Sequence, residues 1–405
     1  MSTLTLAIIV VFVLGYALIA MESLTKINKA AVALLMFVFC WVLYMIDPSP
    51  FVQLMHPEFK GIGDQLVTFA NKLITEHLGD TATTLFFLMG AMTIVEIVDQ
   101  NGGFNWVKDV MRSKSKRSLL WKIAFMTFFL SAILDNLTTS IVMIMILRKL
   151  VQDHKDRMIY ASLVIIAANS GGAFSPIGDV TTIMLWNAGM ITAGGVISEI
   201  FIPSLISMII PAFVLQFLLK GKLGGDMLET DHSGDTELLE FNGSQRKIIF
   251  AIGVGGLCFV PVFHYFTDLP PFVGILLVLG ILWTITEIFY RSLHRSKGDS
   301  EDFSKRVSNL LSRIDMSTIL FFLGILMAVA CLEEVGVLHE LGGGLNSFFQ
   351  GNHYAVTGVI GVLSSIVDNV PLVAGSMGMY PVQATGDMAV DGIFWQLLAY
   401  CAGVG

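Results

Sequence analysis

An all-α polytopic membrane protein built from two inverted-topology repeats is the fold this sequence predicts, and three observations predict it. Of 405 residues, 55% are hydrophobic and only 14% charged, whereas soluble domains are nearer a quarter charged. The 24 Lys and Arg residues crowd into a few short clusters instead of spreading along the chain. Finally, two segments of the first half recur in the second in the same order and at nearly one spacing.

Apolar runs of membrane-spanning length fall at residues 4–21, 30–46, 81–98, 196–219, 248–266, 272–290 and 315–332. The first basic residue, Lys26, follows the first run, so 4–21 reads as a retained helix and not as a cleaved leader. Basic clusters at Lys26 and Lys29, at 108–122, at 148–157, at Lys220, Lys222, Arg246 and Lys247, and at 291–313 are assigned to the cytoplasm. The stretches 47–80 and 267–271, and the loops after Arg313, are assigned to the opposite side, with an external N-terminus.

Residues 118–147 break this alternation, because basic clusters flank them on both sides. Their apolar arms around Asp135 and Asn136 would reach only roughly 24 and 17 Å as helices, against a hydrocarbon core of about 30 Å. A re-entrant hairpin with its polar tip near the midplane satisfies both constraints. TLFFLMGAM from Thr84 matches ILFFLGILM from Ile319, and SAILDNL around Asp135 matches SSIVDNV around Asp368, at offsets of 235 and 233. Span 81–98 runs inward and span 315–332 outward, so the halves are inverted. The domain reading is a first repeat at 1–219 (hairpin 118–147, broken helix 158–192), a cytoplasmic linker at 220–247, and a second repeat at 248–405 (hairpin 355–380). At the repeat offset residues 397–405 align with 163–171, so the second repeat is expected to be incomplete at its C-terminus, leaving open whether 405 residues suffice for activity. Such repeats, meeting at interrupted helices, are the architecture of secondary transporters.

Three polar breaks mark the chemistry: 131–140, 168–182 and 364–371. An intramembrane carboxylate costs at least about 2.5 kcal/mol, so its default explanation is an ion pathway; capping the second arm of a hairpin is the other use open to Asp135. Thr138 and Thr139 follow Asp135 at i+3 and i+4 and offer hydroxyl oxygens suited to a hard alkali cation. In the second half Ser364 matches Ser131, but Pro371 and Leu372 stand where the threonines were. Most cation coordination is therefore expected from the first half, with Asp368 and Asn369 shaping the site or handling protons. In the other break, Gly171, Gly172, Pro176 and Gly178 should unwind the helix. Carbonyls around Asn169 and Ser170 would be freed, Ser175 would N-cap a new half-helix, and Asp179 and Thr182 would follow in its first turns. The Na+ ligands expected are Asp135, Thr138, Thr139 and Asp179, with Asn136 beside them. Ser131, Ser364, Glu96 and Glu334 are secondary candidates. Glu96, Asp99, Glu333 and Glu334 lie toward span ends, where interfacial solvation competes with gating or proton relay.

Other classes are disfavoured. A net charge of −8 with no concentrated basic face opposes nucleic-acid binding. The four cysteines stand singly in apolar segments, and the eight histidines form no HExxH. Neither a transition metal nor a cofactor is expected, and no enzymatic activity.

NSGGAFSPIGDVTTIMLW at 169–186 and LDNLTTS at 134–140 resemble the NhaD-type sodium/proton antiporters of the ion transporter superfamily, and the likeness covers nearly the whole chain. The resemblance implies two inverted repeats, each with a re-entrant hairpin and a broken helix. It also implies Na+ or Li+ exchanged for H+, a multi-pass place in a bacterial cytoplasmic membrane, a role in pH homeostasis, and a homodimer as an allowed assembly in the lipid bilayer. Proton and sodium compete for a carboxylate removed from water, which would couple Na+ export to H+ entry. Anion carriers of the same superfamily, for dicarboxylates or arsenite, are the alternative, although their sites favour helix N-termini and hydroxyls over buried Asp. An intramembrane aspartyl protease is a remote one: PIGD at 176–179 lacks the first glycine of GxGD. Stoichiometry, pH activation, Na+ against Li+ preference and oligomeric state are not encoded in any motif.

Overall fold

The computed structural model describes residues 2–111, 113, 115–219, 221, 241–297 and 310–405; most of the linker expected at 220–247 lies outside them. The described residues are almost entirely helical, and eight helices are long and apolar enough to cross a membrane. These are α1 (Thr3–Ala20), α3 (Lys29–Ile46), α5 (Asp64–Gln100), α7 (Lys116–Leu134), α11 (Ala193–Leu215), α12 (Gly243–Thr267), α13 (Pro271–Lys297) and α14 (Met316–Glu334). Short helices α2 (Glu22–Thr25), α4 (Ser49–Met55) and α6 (Asn105–Met111) lie in the connections. Helices apolar all round bury their backbone polarity internally, the requirement for any segment in hydrocarbon.

Helix α5 is longer than hydropathy suggests. It begins at Asp64, not near Thr81, because the less apolar residues before the span are still good helix formers. Helix α14 is the most buried span. It packs beside α3, where the Trp41 indole donates to the Met327 carbonyl at 2.8 Å, and Ser317 donates to Asn28 Oδ1 at 3.0 Å at the start of both helices. The two therefore run parallel.

Helix α7 ends at Asp135, and α8 (Asn136–Leu150) returns beside it. Both lean on α9 (His154–Ala173). Tyr160 donates to the Lys116 carbonyl at one end of α7, and Ser131 donates to the Ala168 carbonyl at the other. Arg157 donates to the Val151 carbonyl just past α8. The outer ends of α7 and α8 thus lie together at the start of α9. A second set has the same form: α16 (His353–Ser364) and α17 (Asn369–Met379) lean on α18 (Ile393–Val404), with Ser364 donating to the Ala402 carbonyl at 2.8 Å. Helix α15 (Val337–Phe348) precedes this second set and packs against α17. The open end of the first hairpin lies by α6, just past Gln100, where Lys122 donates to the Val110 carbonyl. That of the second lies near Glu333, whose neighbour Glu334 bonds His77. These two places are about 35 Å apart along α5, so the hairpins open toward opposite ends of the molecule.

Candidate functional site

The two hairpin tips and the break after α9 meet at Asp179. The break is placed differently from the sequence expectation: α9 stays helical through Gly171 and Gly172 to Ala173, and α10 (Val180–Asn187) begins only after Asp179. Asn169 and Ser170 therefore still belong to the last turns of α9. Ser175 is not the N-cap; Asp179 is, accepting from the Thr181 N–H and hydroxyl, each at 2.8 Å. Gly171 is needed in the helix because α7 passes close, its Phe128 carbonyl 2.1 Å from where a Cβ would lie, and Gly172 makes room for the Gly178 carbonyl of the break. Pro176, which cannot donate, is what extends the break.

Asp179 is 1% exposed. Its Oδ2 accepts from Asn136 Nδ2 at 2.6 Å, and Asn369 Nδ2 lies 3.4 Å from both its oxygens. Asn136 begins α8 and Asn369 begins α17, so one carboxylate reads both tips. Asn136 also approaches Asn169 Oδ1 at 3.4 Å. Asp135 accepts from the Thr138 N–H at 2.8 Å and hydroxyl at 2.7 Å; capping and a hydroxyl beside a carboxylate coexist there. Asp135 and Asp368 both lie near enough to Asp179 for their charges to act on it. The Thr139 and Ser170 hydroxyls are buried without a hydrogen-bond partner, two oxygens free for a ligand. Asp135 also has φ +88° and ψ 157°, a region essentially reserved for glycine; Asp368, at φ −55°, is unstrained.

Several expected residues serve elsewhere. Ser131 and Ser364 spend their hydroxyls on the α9 and α18 carbonyls. Thr182 donates to the Ser175 and Asp179 carbonyls, tying the break together without reaching the carboxylate. Glu96 lies apart, bonded to Gln100 and 3.7 Å from Arg313. Glu334 is not interfacially solvated: it is 6% exposed and accepts from His56 at 2.9 Å and His77 at 2.8 Å. Lys29, read from sequence only as a topology marker, has its Nζ 3.4 Å from Asp368 Oδ2. Thr181 was also missed: its hydroxyl reaches Asp179 only through the turn that opens α10. Among the described residues no group of His, Cys, Asp and Glu could hold a metal in the manner of a resident cofactor site.

A family model described as citrate transporter, CitMHS, matches residues 16–405. Sodium/proton antiporter 2 of Arabidopsis thaliana is 40% identical over 396 residues, 97% of this chain and 87% of the relative. Sodium/proton antiporter 1 of the same plant is 41% identical over 399 residues, 98% of this chain; the chain spans only 64% of that relative's length. The Na(+)/H(+) antiporter NhaD of Vibrio cholerae is 27% identical over 429 residues, covering 100% of this chain and 82% of the relative.

Proposed function

The chain belongs to the CitMHS transporter family, among its NhaD-type members, and from that premise we propose that it exchanges Na+ or Li+ for H+ across a membrane by alternating access. The observation that carries this reading is the buried Asp179 carboxylate held by Asn136 and Asn369 from two opposed hairpins. A hard cation suits such a site, since Asp135, Thr138, Thr139 and Asp179 offer carboxylate and hydroxyl oxygens. A citrate or other anion would face carboxylates there at close range, so the cation reading is preferred over the family's descriptive substrate.

In this reading Asp135 and Asp179 are ionised when Na+ enters from the cytoplasmic side and protonated when the empty site returns. The same carboxylates cannot serve both ions at once, and this exclusion couples the fluxes. Inverted repeats are supported by the paired serine bonds at Ala168 and Ala402, and by matched close approaches: a Cβ at Gly171 meets the Phe128 carbonyl, and one at Gly405 meets that of Gly361. The orientation follows from the basic clusters, with Lys26, Lys29, 148–157 and Arg313 at the cytoplasmic end and the N-terminus opposite. The deciding assay follows the collapse of a pH gradient in vesicles holding the protein on addition of Na+, Li+ or K+. Collapse with Na+ and Li+ but not K+ is expected; collapse with citrate alone would refute the reading.

A further inference from the structure

The tip of the second hairpin has a cation of the protein's own. Lys29 opens α3, and its Nζ lies 3.4 Å from Asp368 Oδ2 and 4.1 Å from the centroid of the Phe321 ring. The other Asp368 oxygen caps the Val370 N–H at 3.2 Å. The Tyr16 hydroxyl is buried without a partner, close enough for the Asp368 charge to act on it. At the first tip Asp135 has hydroxyl and amide donors from Thr138, and no described Lys or Arg forms an ion pair with it. The sequence explains the difference: Pro371 and Leu372 replace Thr138 and Thr139, so the second carboxylate has no hydroxyl three or four residues on to share a cation with it.

A carboxylate drawn partly out of water gains from an opposite charge, and this pair is 27% exposed at Asp368 and 35% at Lys29. On the cation-site reading, the charge that pairs with Asp135 is an ion that comes and goes. We propose that Lys29 is the fixed counterpart at the second tip: its ammonium occupies at Asp368 the place that Na+ takes at Asp135. Because the ammonium is tethered, it cannot be transported, and each chain binds a single Na+. The aromatic face of Phe321 favours the charged form of the lysine through its quadrupole, and the four-carbon stem lets the head follow Asp368 if the hairpin moves. This inference rests on the cation-site reading above and on the repeat relationship.

The test counts radiolabelled Na+ bound per purified full chain at saturation, together with a melting curve for each variant. Wild type and Asp368→Asn should each bind one Na+, and Asp135→Asn none. Lys29→Met keeps the apolar stem over Phe321 but removes the charge; it should take up a second Na+ at least tenfold more weakly, and Lys29→Met with Asp368→Asn should return to one. A folded Lys29→Met that binds only one Na+ overturns the proposal. So does a wild type that binds two and loses one in Asp368→Asn, a comparison that decides even where Lys29→Met fails to fold. A wild type that binds no Na+ refutes the antiporter reading itself, whereas a site lost in Asp368→Asn and kept in Asp135→Asn overturns the assignment of Lys29 and the placing of Na+ at Asp135 but leaves the antiporter reading standing.

Discussion

Asp135 occupies backbone geometry that an L side chain adopts at a cost on the order of 1–3 kcal/mol. Strain of this kind persists only where surrounding contacts over-determine it, and here the Thr138 cap and the packing of α7 and α8 against α9 do so. Substitution separates the strain from the chemistry. Asp135→Ala and Asp135→Gly both lose the carboxylate and the cap, but only glycine relaxes at φ +88°, so Asp135→Gly should melt higher, by the equivalent of about 1 kcal/mol. Equal melting temperatures would show that the backbone there is unstrained. Asp179→Asn should abolish Na+-driven proton release in vesicles while the protein stays folded. Thr181→Val removes one hydroxyl bond to Asp179, worth about 1 kcal/mol, and should weaken Na+ binding roughly fivefold; an unchanged affinity would remove Thr181 from the site. Asp135, Asp179 and Asn369 stand out in the sequence as polar residues in apolar surroundings; that they serve an ion is what these variants test. The role of Thr181 and the partner of Asp368 were not legible there, since each depends on where a side chain points.

At the scale of elements, each hairpin is pinned by a serine hydroxyl and by a glycine where two backbones meet. Gly171→Ala would drive a Cβ into the Phe128 carbonyl; overpacking of this kind costs about 1–3 kcal/mol, seen as a lower melting temperature. Gly79→Ala in α5 meets nothing within 4 Å and should be neutral or slightly stabilising, since alanine favours helix by up to ~1 kcal/mol. The membrane orientation of the hairpins has its own test. Cysteines at Ser118 and Asp153, both exposed, should label from the cytoplasmic side, and cysteines at Asn352 and Asp387 from the other. Labelling of Ser118 and Asp153 from opposite sides would rule out re-entry of the first hairpin. Charge flanks made the hairpins legible. The position of the break after α9 was not, because glycine reads as a helix breaker until a neighbouring backbone explains it.

Across the whole molecule, Glu334 at the end of α14 gathers His77 of α5 and His56 after α4. This ties together segments far apart in sequence at the end opposite the basic clusters. Removing one member of a buried charged network leaves the others uncompensated, at about 3–5 kcal/mol, while replacing all members with apolar groups is often near neutral. Glu334→Leu alone should therefore lower the melting temperature more than Glu334→Leu combined with His56→Leu and His77→Leu. If the triple variant is the least stable of the two, the cluster contributes net stability beyond self-compensation.

The sequence by itself determined the class of protein and where the polar breaks fall, and it supplied an expected direction for the spans. These rest on local quantities: the cost of polar groups in hydrocarbon and the side on which basic loops are retained. It also identified the Asp residues, since an unpaired intramembrane carboxylate has few explanations. Only the tertiary structure decided which groups meet those carboxylates. Asn136 and Asn369 are 233 residues apart in sequence yet converge on Asp179, and Lys29 reaches Asp368 across an even longer separation. Hydrophobicity and charge pattern constrain where a segment lies in the membrane, whereas pairings inside it are set by which helix faces pack together, and that is a property of the assembled bundle alone.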